Sequence, residues 1–269
     1  EMCIRDRHVT YSDQDLERYD LEMDRRVVVT GMGAVTPLGC TVDTFWEGLK
    51  NGKCGIDLIQ KFDTTDFKVK VGAEVKDFDP ELYMSKKDVK RNDPYAVYAL
   101  AAAVQAFDDS GLDMEKEDAA KVGVIVGSGI GGLMTMQEQV IRLHEKGPSR
   151  VSPLFIPMTI SNMAAGNIAI RLGAKGVCEN IVTACATGTN CIGTAFRDIK
   201  HGYLDACIAG GAEASISEIG VAGFTNLTAL STTEDPKDAC KPFDKDRNGF
   251  VMGLSLIHIS EPTRLLSIS

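Results

Sequence analysis

Short apolar runs that end in glycine-rich turns constrain the fold of this chain most. The runs at 25–30 and 122–126 are rich in β-branched residues, and glycines follow each of them, at Gly31 and Gly33 in the first case. Such runs predict buried strands that end in turns. Two further strands are predicted over residues 181–184 and 206–209.

Helical patterns occupy the intervals between these runs. Helices are predicted over residues 41–52, 93–111, 161–171 and 188–200. The boundary signals are clearest for the alanine-rich second helix, where Asp93 precedes a proline as a cap and Gly111 supplies a left-handed stop. Thr41 and Gly52 give the same signals for the first helix. Strands that alternate with helices predict an α/β fold, with a mixed sheet covered by helices on both faces.

Composition and charge exclude several classes of protein. The net charge of −9 disfavours nonspecific binding to nucleic acid or to an anionic membrane, because the summed field repels phosphates. There is no run of about 18 apolar residues, and the first ten residues lack the apolar centre of a signal peptide, so we expect a cytoplasmic protein. The eight cysteines form no CxxC pair, so neither a zinc site nor a disulfide framework is expected.

The segment VTACATGTN, Val182 to Asn190, carries the strongest chemical signal. A predicted strand leads to Cys185, small residues surround it, and a helix follows directly, as in a nucleophile elbow. The amino end of a helix favours a thiolate, and backbone N–H groups there stabilise an oxyanion. Both features suit acyl transfer. A buried structural cysteine is the alternative, because free cysteine is among the most buried residue types.

Five motifs occur in the order and spacing of a known family. They are TGMGAVTPLG (30–39), GSGIGG (127–132), TACATGTN (183–190), AGGAEA (209–214) and PFDKDRNGFVMG (242–253). Together they make the chain resemble the type II beta-ketoacyl-acyl-carrier-protein synthases from about Met23 to Gly253. The resemblance implies the amino-terminal half of a thiolase-like fold.

The resemblance also implies an activity for the complete protein. Enzymes of this family are elongating synthases of fatty-acid synthesis that load an acyl group onto a cysteine, decarboxylate malonyl-carrier protein and join the two units. They work as homodimers, and the resemblance implies no organic cofactor and no metal.

Site residues follow from the resemblance by position. Cys185 is implied as the acylated nucleophile, with its own N–H as one oxyanion donor. Ile130 and Phe155 are implied at the acyl pocket near the dimer interface, and Phe224 close to the nucleophile. Ordinary core packing is an equally good explanation for these three apolar residues.

A basic cluster, SKKDVKRND, precedes the long predicted helix. In similar synthases this region docks the acidic acyl carrier protein, in its acyl and malonyl forms. Lys87, Lys90 and Arg91 occupy the matching positions, and charge complementarity there would speed encounter more than it would tighten binding. A solvated helix end is the alternative.

The histidines do not match the family pattern. The family places two histidines, a lysine and an oxyanion-hole phenylalanine well downstream of the cysteine. The histidines of this chain are His8, His144, His201 and His258, and none stands at such a position. We predict that His144 and His201 are solvated surface residues. We therefore expect this chain by itself to lack decarboxylation and condensation.

The two ends differ from the body of the chain. EMCIRDR and LSLIHISEPTRLLSIS resemble translated adapter sequence, and the latter replaces the acidic, glycine-rich continuation that the family has after GFVMG. We expect a non-native leader over 1–22, a truncated synthase domain over 23–253 and a non-native tail over 254–269. The alternation in LSLIHI still predicts a strand.

Two other motifs imitate ligand-binding loops. GSGIGG follows a strand as a dinucleotide-binding loop does, but no acidic residue ends a second strand about 20 residues later, so nucleotide binding is rejected. Asp244, Asp246 and Asn248 match half of a calcium loop, but Ser255 stands where a bidentate glutamate is needed. A turn is predicted there instead.

Other interpretations of the whole chain stay open. A type I or polyketide ketosynthase shares the motifs, because the residues that best separate chain-length preference lie partly outside this chain. A broken reading frame with no function of its own is a second interpretation. A silent chain-length partner is disfavoured, because such proteins lack the active cysteine that Cys185 supplies.

Overall fold

A mixed five-stranded sheet forms the centre of the protein. The computed structural model describes residues 25–253 in full and the backbone of residues 255–262. The strands are β1 (Gly31–Val35), β2 (Asp57–Leu58), β3 (Val71–Gly72), β4 (Val122–Gly127), β5 (Cys178–Glu179), β6 (Ala206–Glu213) and β7 (Ser255–Pro262). The order across the sheet is β1-β7-β6-β4-β5. Strands β6, β4 and β5 are parallel, whereas β7 is antiparallel to both of its neighbours, and β2 and β3 form a separate antiparallel pair.

Helices follow most of the strands along the chain. They are α1 (Val42–Lys50), α2 (Lys86–Val89), α3 (Pro94–Ser110), α4 (Leu133–Lys146), α5 (Phe155–Thr159), α6 (Met163–Leu172), α7 (Thr187–Lys200) and α8 (Glu218–Asn226). Short 3-10 turns lie at Pro80–Leu82, Ala119–Lys121, Pro148–Arg150 and Ala184–Ala186. Within the described residues, no helix combines the length and apolarity needed to cross a lipid bilayer.

The side chains of β4 alternate between two apolar layers, one on each face of the sheet. Val124 and Val126 belong to the larger cluster, which α3 and α6 cover. Ile125 belongs to a second cluster with buried residues of α7. Each fully buried aliphatic side chain contributes about 1.5–3 kcal/mol relative to an exposed one, so both layers stabilise the sheet. The predicted mixed sheet with helices on both faces is confirmed.

Helix α3 forms where local signals predict it. Asp93 caps its amino end by accepting the N–H of Tyr95, and Gly111 ends it with a φ of 68°. Asp93 also accepts the N–H of Thr135 at 2.8 Å, which ties the start of α3 to the start of α4. The alanines of α3 are almost fully buried, so the helix backbone lies close to the sheet.

This close approach explains a wrong prediction at the first strand. The structure has no strand over 25–30, and β1 runs from Gly31 to Val35 through the glycines that were predicted to form a turn. A Cβ on Gly31 would collide with the backbone of Ala106, and one on Gly33 with that of Ala102. The two glycines therefore belong to the strand because α3 packs directly on their backbone.

The predicted strand over 181–184 is also wrong. Strand β5 ends at Glu179, and the chain then leaves the sheet. Side chains there contact backbone groups that a strand would use to pair with its neighbour. The Thr183 N–H donates to Thr187 Oγ1 at 3.0 Å, and the Cys191 thiol lies 3.9 Å from the Ile181 carbonyl oxygen. The remaining predicted strands and helices are present, with boundaries shifted by a few residues.

Strand β7 falls within the residues that were predicted to be a non-native tail. Its backbone pairs with β1 on one side and β6 on the other, as the alternation in LSLIHI predicted a strand. The predicted leader over 1–22 lies outside the described residues.

Candidate active site

Cys185 lies where the chain turns from β5 into α7. It belongs to the 3-10 turn Ala184–Ala186, directly before Thr187, the first residue of the 14-residue helix α7. The preceding residue, Ala184, has a φ of 50°, a left-handed conformation that costs a residue with a Cβ about 1–2 kcal/mol. The thiol is exposed. Backbone strain of this kind is concentrated at functional sites, so the turn is a candidate nucleophile elbow.

Side chains of α7 hold this turn in place. Thr187 is buried, and its hydroxyl oxygen accepts the N–H of Thr183 at 3.0 Å. The Asn190 side-chain amide donates to Thr183 Oγ1 at 2.6 Å, and Ala186 N–H donates to the Thr183 carbonyl at 3.0 Å. Thr183 is therefore bonded three times by the residues that follow it, which fixes the strained peptide before Cys185.

A second cysteine on α7 has the opposite environment. Cys191 is fully buried, and burial raises the pKa of its thiol, against smaller opposing effects of the Ile181 and Gly127 backbone. A buried thiol with a raised pKa is a poor nucleophile. Of Cys185 and Cys191, only Cys185 is accessible to a substrate.

Glycines bring the start of α7 against the ends of β4 and β6. A Cβ on Gly127 would collide with the Ile181 carbonyl and the Thr187 methyl group, and one on Gly211 would lie 2.9 Å from the Gly188 Cα. Gly127 and Gly211 are also register partners in the parallel pair β4–β6. The absence of side chains at these positions places the Cys185 turn directly over the ends of two strands.

A largely apolar cavity of about 390 Å³ opens beside Cys185. Its lining residues are Gly127, Gly129, Ile130, Ala184, Cys185, Thr187, Gly188, Gly211, Ala212, Glu213, Ser215, Phe224, Phe250, Val251, Met252 and Gly253. Phe224 and Phe250 pack edge to face, with ring centroids 5.7 Å apart. A cavity with these walls suits a hydrocarbon chain better than a charged ligand.

Three of the predicted site residues lie together at the cavity, and the others do not. Cys185, Ile130 and Phe224 share the lining of the cavity. Phe155 is half-buried at the start of α5 and is not among the residues that line it. Lys87, Lys90 and Arg91 are exposed at and just after α2, away from the cavity lining.

One charged side chain in the cavity wall was not predicted. Glu213, the last residue of β6, accepts the N–H groups of Gly129 and Ile130 on Oε2 at 3.0 and 3.2 Å. Its Oε1 accepts the Ser215 hydroxyl at 2.7 Å. Burial raises the pKa of Glu213, and the hydrogen bonds from Ser215, Ile130, Ala214 and Gly129 oppose that shift.

The glycine-rich turn after β4 uses its amides within the protein. Ser128 N–H donates to Asn180 Oδ1 at 3.0 Å, and Gly131 N–H donates to Ser128 Oγ at 2.9 Å. The amides of Gly129 and Ile130, which lie between Ser128 and Gly131 in the chain, donate to the Glu213 carboxylate. A bound nucleotide phosphate would need these donors and would meet the Glu213 carboxylate, so the geometry agrees with rejecting a dinucleotide site.

The other predicted surface features can be located as well. His144 and His201 are exposed, which confirms them as surface residues. The segment at Asp244 forms turns, with the Asp246 N–H bonded to Asp244 Oδ1 at 2.7 Å, as predicted. His8 and the side chain of His258 lie outside the described residues.

Comparison with known proteins gives the family. The model of the beta-ketoacyl synthase N-terminal domain matches residues 24–256. The chain belongs to the beta-ketoacyl synthase family. It is 49% identical over 230 residues to 3-oxoacyl-[acyl-carrier-protein] synthase 2 of Synechocystis sp., a match that covers 85% of the chain and 55% of that relative. The protein of the same name from Vibrio cholerae is 50% identical over 230 residues, covering 85% of the chain and 56% of that relative.

Solved structures of beta-ketoacyl synthases agree with this assignment. One from Burkholderia phymatum aligns with a TM-score of 0.78 at 28% identity, covering 89% of this chain and 59% of the other. A type II polyketide ketosynthase, solved with its acyl-carrier protein, gives the same TM-score and identity and covers 89% of this chain and 58% of the other. The fold is thiolase-like, and this beta-ketoacyl synthase chain spans little more than half the length of the curated relatives it matches.

Two residues that line the cavity of this beta-ketoacyl synthase chain, Glu213 and Phe250, were not predicted from the sequence. Glu213 is the acidic residue of the AGGAEA motif, and its position after a run of small residues was a usable signal. Phe250 belongs to GFVMG, which was used only to locate the end of the match. Neither could be assigned a partner without knowing which strands are neighbours.

Proposed function

We propose that this chain carries the acylation site of an elongating beta-ketoacyl-acyl-carrier-protein synthase, with Cys185 as the nucleophile. The observation that carries the proposal is an exposed thiol at the start of α7 that lines an apolar cavity of about 390 Å³. The relatives that are 49% and 50% identical to this chain are named 3-oxoacyl-[acyl-carrier-protein] synthase 2, and this name supports the proposed reaction.

The proposed half-reaction transfers an acyl group between two sulfur atoms. The Cys185 thiolate attacks the carbonyl carbon of an acyl-carrier thioester, and a new C–S bond forms as the carbonyl oxygen becomes an oxyanion. The N–H of Cys185 is one proposed donor to that oxyanion. When the oxyanion collapses, the C–S bond to the carrier breaks and the carrier leaves as a thiolate, which takes up the proton that Cys185 gave up.

Electrostatics at the start of α7 support this step. Both the thiolate and the oxyanion carry negative charge, and the amino end of a helix stabilises such charge by about 0.3–1 kcal/mol or more when water is excluded. The nearby walls are contributed by apolar groups of Ile130, Phe224 and Phe250. Ile130 and Phe224 are thus proposed to contact the acyl chain.

A homodimer is proposed for the complete protein. Strand β5 lies at one edge of the sheet, and an edge strand is a template for pairing with a second chain. Helices α4 and α5 pack on each other, and they and the residue that follows α5 expose apolar side chains at Met136, Val140, Ile141, Leu143, Ile156 and Ile160. Phe155, next to Ile156, would then reach an acyl pocket only across such an interface.

The acyl carrier protein, in its acyl and malonyl forms, is the proposed partner. Lys87, Lys90 and Arg91 are exposed and form no ion pair within the described part of the chain, so their charges are available to an acidic partner. The net charge of the whole chain is −9, so its other surfaces would repel an acidic partner. A cytoplasmic location belongs to the same proposal.

Intact-mass measurement tests the nucleophile. The complete reading frame that carries this sequence is expressed and exposed to a saturated acyl thioester, and we expect a gain of one acyl group that peptide mapping assigns to Cys185. Cys185→Ser should abolish the adduct. Cys178→Ser is the matched control, since Cys178 is also an exposed thiol, and it should keep the adduct. Acylation that persists in Cys185→Ser would contradict the proposal.

A polyketide ketosynthase is the second candidate. It is favoured by the likeness to a type II polyketide ketosynthase at a TM-score of 0.78, although at only 28% identity. The two candidates differ in the acyl group they accept. Faster labelling of Cys185 by saturated acyl thioesters than by polyketo thioesters supports the fatty-acid enzyme, and the reverse order supports the polyketide one.

A further inference from the structure

The carboxylate of Glu213 occupies an anion-binding nest formed by the glycine-rich turn. Two consecutive amides, those of Gly129 and Ile130, point at the same oxygen, Oε2, at 3.0 and 3.2 Å. Successive backbone N–H groups that converge in this way bind anions, and here the anion is a side chain of the protein itself. A Cβ on Gly129 would lie 3.1 Å from Oε2, so the turn fits closely around the carboxylate.

The contacts of Glu213 leave it no free acceptor directed at a substrate. Oε1 accepts the Ser215 hydroxyl at 2.7 Å and the Ala214 N–H at 3.3 Å, while Oε2 accepts the two turn amides. Two bonds to each oxygen use the acceptor capacity of a carboxylate. Its role is therefore to hold other groups rather than to carry a proton.

Of the two turn residues that Glu213 binds, only Ile130 contributes a side chain to the cavity wall. The neighbouring amides of the turn have other partners, since Ser128 N–H binds Asn180 and Gly131 N–H binds Ser128 Oγ. Within the glycine-rich turn, removal of the Glu213 carboxylate would thus free only residues 129 and 130. Ile130 lines the cavity and is 45% exposed, so neighbouring side chains cover little of it.

We propose that Glu213 is a positioning residue that fixes Ile130 in the cavity wall and thereby sets which acyl chain lengths Cys185 accepts. This inference rests on the proposed acylation of Cys185. With the turn held, the wall at Ile130 stays in place and excludes acyl chains that are too long for the cavity. When the turn is released, the Ile130 side chain can move, and longer acyl chains can enter the cavity.

Three variants of the complete reading frame test the proposal. Glu213→Ala removes the acceptor. Glu213→Gln keeps an oxygen that can accept both turn amides, so it should restore the wild-type pattern. Glu218→Gln is the matched control, because Glu218 is a nearby exposed carboxylate that binds Gln137 at 2.6 Å and does not touch the turn.

The primary measurement is the ratio of acylation rates at Cys185 for a 16-carbon and an 8-carbon acyl thioester. We expect Glu213→Ala to raise this ratio about ten-fold, since pocket changes of this size alter discrimination by that order. Glu213→Gln should stay within about two-fold of wild type on the same scale. Glu218→Gln should match wild type. A ratio that Glu213→Ala leaves at the wild-type value would overturn the proposal.

A double variant shows whether Glu213 acts through Ile130. Ile130→Ala should itself raise the ratio, and adding Glu213→Ala to it should change the ratio no further, because coupled sites are non-additive. Independent, multiplicative effects would contradict the proposed route. If Glu213→Ala does not fold, Glu213→Asp replaces it, since a carboxylate shorter by one methylene cannot reach both amides.

Amide exchange separates this inference from the proposed function. If no thioester labels wild-type Cys185, the proposed function fails, and hydrogen exchange at Ile130 N–H then decides the positioning role. Slow exchange in wild type and Glu213→Gln, with fast exchange in Glu213→Ala, supports the restraint. Equal exchange in all three rejects it.

Discussion

Gly211 in β6 and Gly188 in α7 are in backbone contact, so that a Cβ on Gly211 would lie 2.9 Å from the Gly188 Cα. The contact seats the first turn of α7 on the end of the sheet. The position of Cys185 beside the cavity therefore depends on the absence of a side chain in the neighbouring strand.

Gly211→Ala should destabilise the fold and slow acylation of Cys185. The added methyl group forces α7 away from β6, and overpacking of this kind costs about 1–3 kcal/mol. Thermal unfolding and the acylation rate measure the two effects. Gly166→Ala is the control, because Gly166 lies inside α6 with nothing within 4 Å of its Cβ position. It should stabilise by about 0.5–1 kcal/mol. Equal effects of the two substitutions would contradict the packing argument.

Thr187→Val should weaken the elbow without changing side-chain volume. The substitution leaves the Thr183 N–H without the acceptor it now has at 3.0 Å, and a part-buried hydrogen bond of this kind contributes about 0.5–1.5 kcal/mol. Denaturant unfolding should show the loss, and the acylation rate should fall with it. Thr194→Val, on the more exposed part of α7, should change stability by less than about 0.5 kcal/mol. A stable Thr187→Val variant would show that the Thr183 bond is dispensable.

Stability should depend on pH through Glu213 with a definite sign. Burial raises its pKa in the folded protein above the ordinary value of 4.5, so the unfolded chain loses this proton first as pH rises. The folded state is then penalised, and its stability falls across the interval between the unfolded and folded pKa values. The stability of wild type minus that of Glu213→Gln should therefore decrease as pH rises above 4.5. Urea unfolding at a series of pH values checks this, and a difference that increases with pH would refute it.

Charge reversal at the basic cluster should slow acyl transfer from a carrier protein but not from a small thioester. Lys87→Glu with Lys90→Glu should reduce the carrier-dependent rate about ten-fold at low salt, because electrostatic steering raises association rates by that order. The reduction should fade as added salt shortens the screening length. Lys175→Glu, an exposed lysine after α6, serves as the control. A similar loss in that variant would mean that net charge alone matters.

Local signals in the sequence were sufficient where the structure obeys local rules. The cap at Asp93 and the stop at Gly111 fixed α3 because both depend only on adjacent backbone. The same reasoning failed at Gly31 and Gly33, because their role is set by a helix that lies about 70 residues further along the chain. Glycine in a strand and glycine in a turn look alike until the packing partner is known.

The candidate site likewise contains one feature that local sequence predicts and one that it does not. The position of Cys185 in a turn directly before a helix could be predicted from its own segment, since the small residues and the helix start are adjacent in sequence. The contact of Glu213 with Ile130 could not, because it requires β4 and β6 to be parallel neighbours with Gly127 opposite Gly211. Once that register is known, the last residue of β6 and the residues just beyond β4 must meet at one edge of the sheet.

The cavity beside Cys185 has a practical consequence for covalent inhibitors. Cys54, Cys178 and Cys240 are exposed in the described part of the chain, as Cys185 is, so a small thiol-reactive compound would modify several sites. An electrophile on a long hydrocarbon tail would gain binding energy only where that tail can be buried. Selectivity for one sulfur would then come from the tail rather than from the reactive group.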